Sequence, residues 1–146
     1  MKVEINIDPA CGEQRIVIHA SRLTPEIEAL ARRLSSPQPD VLAAQTERGM
    51  ELLPIPEIIR IYSERQKVFA QTHDGLFSLK LRLYEVEERL SGGLFVRISS
   101  SELVNTKMIT GMDFSLTGTI RLSLKGGITT YVARRRVSEI RKLFDL

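Results

Sequence analysis

The chain has 146 residues, 42% hydrophobic and 27% charged, the size and balance of a soluble globular protein with one real core. No apolar run approaches the ~18 residues that a membrane-spanning helix needs, and charges break up the opening MKVEINID at once, unlike a signal peptide. Cys11 is the only cysteine, which excludes an intrachain disulfide and fits a reducing, cytoplasmic setting. The net charge of +3 is unevenly spread. Residues 1–40 carry five Lys/Arg against six Asp/Glu and residues 41–106 eight against nine, whereas residues 107–146 carry eight against three. A basic carboxy-terminal third is the electrostatic footprint expected of a phosphate-binding surface. The absence of Trp and the 5% aromatic content argue against a protein that binds single strands by base stacking.

KVEINID (2–8) and QRIVIHA (14–20) alternate apolar and polar residues, so both are expected to be strands. Thr24-Pro25-Glu26 then starts a helix: a capping hydroxyl, a proline in the first turn and an acid at the positive end. Ile27, Leu30, Ala31 and Leu34 line its apolar face, and the helix ends near Ser35. SSPQPD (35–40) has the composition of a linker. The expected organisation is therefore a β-β-α extension, residues 1–40, followed by a main unit, residues 41–146.

The main unit is strand-rich. Val41–Thr46 and Gly49–Leu53 flank a turn at Glu47-Arg48, and a further strand is expected over 58–62. Val68–Thr72 and Leu76–Leu81 flank His73-Asp74-Gly75, a hairpin signal. Leu83, Val86 and Leu90 have helical spacing, and Ser91-Gly92-Gly93 stops that helix. Phe95–Ile98 returns to a strand. SSELVN (100–105) is expected to form one helical turn begun by Ser100 or Ser101, pinned by Leu103 and Val104, and closed by Asn105. Strands over 107–114, 119–124 and 128–133 follow, the last two joined at Lys125-Gly126-Gly127. Val137, Ile140, Leu143 and Phe144 make a final amphipathic helix. Many short antiparallel strands with few helices mean a mainly β fold.

Chemistry that would mark an enzyme is missing. His19 and His73 have no partner at metal-ligand spacing, and no phosphate loop, dinucleotide fingerprint or nucleophile elbow occurs. Glu85, Glu87 and Glu88 fit a solvated helix face. No cofactor or small-molecule substrate is called for.

The main unit nevertheless carries a specific succession: HDGLFSLKLRLYEVEERL, then GGLFVRISSSELVNTKMI, then TYVARRRVSEIRKLF. It resembles the LytTR family of bacterial DNA-binding domains at Leu83, Glu85, Val86, Glu87 and Leu90, then at Phe95, Arg97, Ile98, Ser101, Leu103, Val104 and Asn105, and finally at Arg134 and Arg135. The resemblance covers residues 41–146. Residues 1–40 fall outside it and are too short for a phospho-receiver domain, so the chain resembles a stand-alone member.

The resemblance implies several small antiparallel sheets whose loops enter successive major grooves of double-stranded DNA. It also implies a transcriptional regulator, homodimers on direct-repeat sites and, for some stand-alone members, a membrane-bound regulatory partner. Three surface elements follow. Gln66, in the loop Ser63–Lys67, matches the family's base-reading position, and Arg65 and Lys67 would hold phosphates. Ser99, Ser100 and Ser101 occupy the second element. Ser101 keeps the family residue, whereas Ser99 and Ser100 replace more discriminating side chains. Arg135 matches the family's groove-reading arginine, and Arg134 and Arg136 would neutralise phosphates. Three cations at the start of a helix oppose its dipole, which fits an anionic partner. The alternative is a β-rich protein-interaction module that contacts another protein, such as a membrane regulator, without binding DNA.

Overall fold

The computed structural model describes residues 1–35, 41–90 and 92–146. The chain divides into two compact units, Met1–Pro37 and Gln38–Leu146. The expected linker lies, from residue 36 on, outside the described residues.

In the first unit the helix forms where the sequence places it. α1 spans Pro25–Ser35; the Thr24 hydroxyl accepts a hydrogen bond from the Ile27 amide at 3.3 Å, and the Thr24 carbonyl accepts from Glu28. The two strands expected at 2–8 and 14–20 do not form. These segments join no ladder, and Val3, Ile5, Ile7, Ile16 and Val17 are exposed. Alternation supplies an apolar face, but two strands alone are marginal in water unless that face is covered.

Among the described residues, the second unit contains ten strands in two antiparallel sheets. β1 (Val41–Thr46), β2 (Gly49–Pro54), β3 (Arg60–Glu64), β4 (Lys67–Thr72), β5 (Gly75–Leu79), β6 (Phe95–Ser99) and β7 (Glu102–Asn105) form one sheet in the order β2-β1-β5-β4-β3-β7-β6. β8 (Ile109–Asp113), β9 (Ile120–Leu124) and β10 (Ile128–Val132) form the other. Helix α2 (Leu83–Arg89) follows β5, and α3 (Val137–Leu143) ends the chain. This mainly β architecture is the one expected.

Two cores lie on opposite faces of the larger sheet. Leu42, Leu53, Ile58, Ile61, Ala70, Leu79 and Leu103 pack with Leu83, Val86 and Leu90 of the α2 region. Ile59, Ile98 and Val104 pack instead with Ile120, Leu122, Leu124 and Val132 of the smaller sheet and with Ile140 of α3.

Here the single helical turn expected at 100–105 is overturned. Ser99 pairs with Glu102 across a tight turn, and residues 102–105 form β7. Leu103 (1% exposed) enters the first core and Val104 (0%) the second. Adjacent side chains reach opposite faces only at strand periodicity; a helical turn would set them about 100° apart. Asn105 closes the segment. Its side chain is fully buried, donating to Ile58 O (2.8 Å) and Pro56 O (3.3 Å) while accepting from Lys107 N (3.0 Å).

Asn105→Ala should therefore lower unfolding free energy by about 3 kcal/mol, because it leaves buried polar backbone groups unpaired. Urea denaturation measures this, and a loss below about 1 kcal/mol would mean that water replaces the amide.

Candidate nucleic-acid interface

The β3–β4 register pairs Glu64 with Lys67, so the connection is a two-residue turn at Arg65-Gln66. Two-residue hairpins match the twist of their strands when both turn residues take positive φ, a conformation that favours Asn-Gly. Arg65 and Gln66 adopt it nonetheless, at φ 50° and 66°. Both are exposed, and the strained turn projects an arginine and an amide from the sheet end.

The serine hairpin stands beside it. Ser63 N donates to Ser101 O at 2.9 Å, continuing the β3–β7 pairing of Tyr62 with Glu102. Arg97, expected here only as a family match, holds this turn from inside. Its Nε donates to Ser99 O and its Nη2 to Ser100 O, each at 2.7 Å, while Nη1 lies 3.5 Å from Glu87 Oε1 on α2. The Ser99 hydroxyl accepts from Ser101 N (3.2 Å) and lies 3.4 Å from Ser101 Oγ. Ser100 is exposed with its hydroxyl uncommitted. Of the three serines, the turn itself occupies Ser99 most fully.

The third element abuts the other flank of this hairpin. Ala133 N, just after β10, donates to Ile98 O of β6 at 2.8 Å. Arg134–Arg136 follow as one 3-10 turn leading into α3. The structure separates the three arginines. Arg134 is exposed but lies over Gly118, where an added Cβ would sit 3.2 Å from Arg134 Nε. Arg136 is half-buried, with Nη1 3.3 Å from Glu139 Oε2. Arg135 is exposed, and among the described residues its side chain makes no ion pair or hydrogen bond. All nine expected side chains thus fall on three neighbouring elements.

Sequence reasoning missed Lys80 and Arg82. They line an open cleft with Gln66, Lys67 and Arg97, beside the Arg65-Gln66 turn. The signal was present: the Asp-Gly hairpin implies the Val68↔Leu79 pairing, which brings the chain after Leu79 back to Lys67.

The comparisons with known proteins identify the domain that carries these elements. The family model described as the LytTr DNA-binding domain matches residues 48–145. The chain belongs to the LytTR family. It is 30% identical over its full length to an uncharacterised HTH-type transcriptional regulator of Staphylococcus aureus (strain bovine RF122 / ET3-1) and 29% identical to one from strain MSSA476, covering 99% of each. In fold it is similar to the LytTr DNA-binding domain of a methyl-accepting/DNA response regulator from Bacillus cereus, with TM-score 0.69 and 23% identity over 73% of this chain and 98% of that one. Among the described residues no two α-helices follow one another. This LytTR domain therefore presents hairpin tips, not a helix-turn-helix.

A polar chain ties the LytTR sheets together behind the tips. Thr130 Oγ1 on β10 donates to Glu102 Oε1 at 3.0 Å. Glu102 Oε2 faces Arg60 Nη1 at 3.6 Å, an ion-pair distance too long for a hydrogen bond. Arg60 Nε donates to Gln71 Oε1 at 2.6 Å, and its guanidinium lies 4.7 Å from the Tyr62 ring centroid. Burial raises the Glu102 carboxyl above its ordinary 4.5, with Thr130 and Arg60 opposing the rise. Asp113 moves the other way: hydrogen bonds from Ser115 and the nearby Arg121 cation hold it below its ordinary range.

Two outcomes follow from this geometry. Replacing Arg65-Gln66 by Asn-Gly should relieve the turn and stabilise the fold by about 1 kcal/mol; a lower melting temperature would mean that the native side chains stabilise the turn. A carboxyl raised on folding is held protonated where the unfolded chain has already ionised. Its contribution is complete below the unfolded value and is lost as pH rises through the folded one. The stability of wild type relative to Glu102→Gln should therefore fall as pH rises above the ordinary 4.5 of the unfolded carboxyl. A difference flat in pH would contradict the assignment to Glu102.

Proposed function

We propose that this protein regulates transcription by binding specific double-stranded DNA through the sheet end formed by the Arg65-Gln66 turn, the Ser99–Ser101 hairpin and the Arg134–Arg136 turn. The observation that carries this reading is the juxtaposition of those elements: one hydrogen bond joins the serine hairpin to β3 and another joins β6 to the start of the arginine turn. Its relatives named as transcriptional regulators support it.

The roles follow from side-chain freedom. Arg135, exposed and unpaired, suits the forked contact to a guanine edge, and the Gln66 amide suits the two-point contact to adenine. Arg65, Lys67, Arg134 and the Ser100 hydroxyl would hold phosphates, with Lys80 and Arg82 extending that track along the cleft. Arg136, paired to Glu139, would add charge more than direct contact. The serine hairpin would touch DNA with little discrimination, since a hydroxyl bonds to many edges. Repeated sites would each hold one copy.

In a mobility-shift assay on DNA from upstream of its own gene, Arg135→Ala should weaken specific binding by about 1–3 kcal/mol and relax specificity at one base pair. Lys80→Ala with Arg82→Ala should instead weaken binding to all sequences alike and flatten the salt dependence by roughly one unit of slope per cation. Failure of the wild type to shift its own upstream DNA at low salt would overturn the reading.

A further inference from the structure

The cleft beside the Arg65-Gln66 turn combines charge with an apolar floor. Its volume is about 890 Å³, within the roughly 300–1,000 Å³ usual for small-molecule sites. Val68 and Leu79 of the β4–β5 hairpin and Leu83 of α2 line it and are buried, whereas Lys67, Lys80 and Arg82 line it and are exposed. Tyr84, also lining the cleft, is 58% exposed and makes no hydrogen bond among the described residues.

The charges above that floor are unbalanced. The Val68↔Leu79 pair closes the β4–β5 ladder, and one step beyond it Lys80 returns to Lys67. Like charges set opposite one another across a hairpin are unfavourable, and Arg82 adds a third cation. Among the described residues no carboxylate lines the cleft. Glu64 pairs with Lys67 in the β3–β4 register but is not part of the lining. On α2, Glu85 accepts from the Arg82 amide and Glu87 faces Arg97 Nη1. Lys67, Lys80 and Arg82 are thus left without an ion pair among the described residues.

Three cations over an apolar floor, with an exposed ring beside them, select a ligand that has both an anionic tail and a flat ring. A nucleoside diphosphate has both: about three negative charges at neutral pH and a base whose face stacks on an aromatic side chain. An inorganic anion would leave the floor and Tyr84 unused. We propose that this cleft binds a nucleoside diphosphate, with its phosphates on Lys67, Lys80 and Arg82 and its base against Tyr84. The bound nucleotide then releases DNA, because it occupies the cations that extend the phosphate track. The release rests on the DNA-binding reading above, whereas the binding itself does not.

The test is calorimetric titration of the full chain with ADP and with GDP, beside adenosine and inorganic pyrophosphate, with circular dichroism to confirm that each variant is folded. One site per chain should fill with the diphosphate, ~tenfold tighter than with pyrophosphate because the base stacks, and adenosine alone should give no saturable binding. Tyr84→Ala should abolish the advantage over pyrophosphate while leaving pyrophosphate and DNA affinity unchanged. Lys80→Ala with Arg82→Ala should weaken ADP and pyrophosphate alike. In a mobility-shift assay, ADP sufficient to saturate the wild type should release it from DNA and leave Tyr84→Ala bound. No saturable binding of either nucleotide, an affinity no better than that of pyrophosphate, or wild-type ADP affinity in Tyr84→Ala would each overturn the site. DNA retained at saturating nucleotide would overturn the release. Nucleotide binding by a chain that shifts no DNA would keep the site and remove the proposed function, and DNA binding without nucleotide binding would do the reverse.

Discussion

Strand β7 is the piece on which the rest depends. Leu103 and Val104 are adjacent, yet each anchors a different core, and Asn105 is buried between them and the 3-10 turn that starts the smaller sheet. A four-residue strand buried on both faces cannot shift register by one residue without exchanging the two cores. That constraint fixes the serine hairpin at one end of β7 and the entry to β8 at the other. The Arg65-Gln66 and Ser99–Ser101 turns inherit their positions from it.

The same sheet end is cross-braced by polar contacts. Arg97 holds both carbonyls of the serine turn from within the sheet while facing Glu87 on α2. Glu102 links Thr130 on the second sheet to Arg60 on the first. Buried polar chains of this kind cost desolvation and add little net stability, but they fix geometry. Burial raises the Glu102 carboxyl in the direction that this desolvation requires. Exposed side chains such as Arg135 and Lys80 project from this frame.

Relatives carrying a helix-turn-helix name share this chain's length, but the fold here places hairpin tips and a strand-helix junction side by side at one sheet end. The strained Arg65-Gln66 turn shows what such a tip requires. An Asn-Gly pair would suit the backbone, yet it would remove the amide and the guanidinium from the surface. Local conformational preference has given way to side-chain chemistry, a conflict that concentrates at functional sites.

Most of the main unit was legible in the residues. Period-two alternation and the turns at Glu47-Arg48, His73-Asp74 and Lys125-Gly126 marked the hairpins, and Thr24-Pro25 marked α1, because these signals are local. LVNTKMI and the arginine run marked the family. The serine turn was misread because Leu103 and Val104 are both apolar, and only their burial on opposite faces makes them a strand. The expected strands at 2–8 and 14–20 failed for the converse reason, since alternation supplies an apolar face but not the surface that covers it. Lys80 and Arg82 were missed because their significance depends on the hairpin register. By itself, then, the sequence determined where most strands and helices of the main unit lie and which charges are available. Which arginine is free, which serine is occupied and which tips stand together were decided by pairing between residues distant in the chain, which no local pattern encodes.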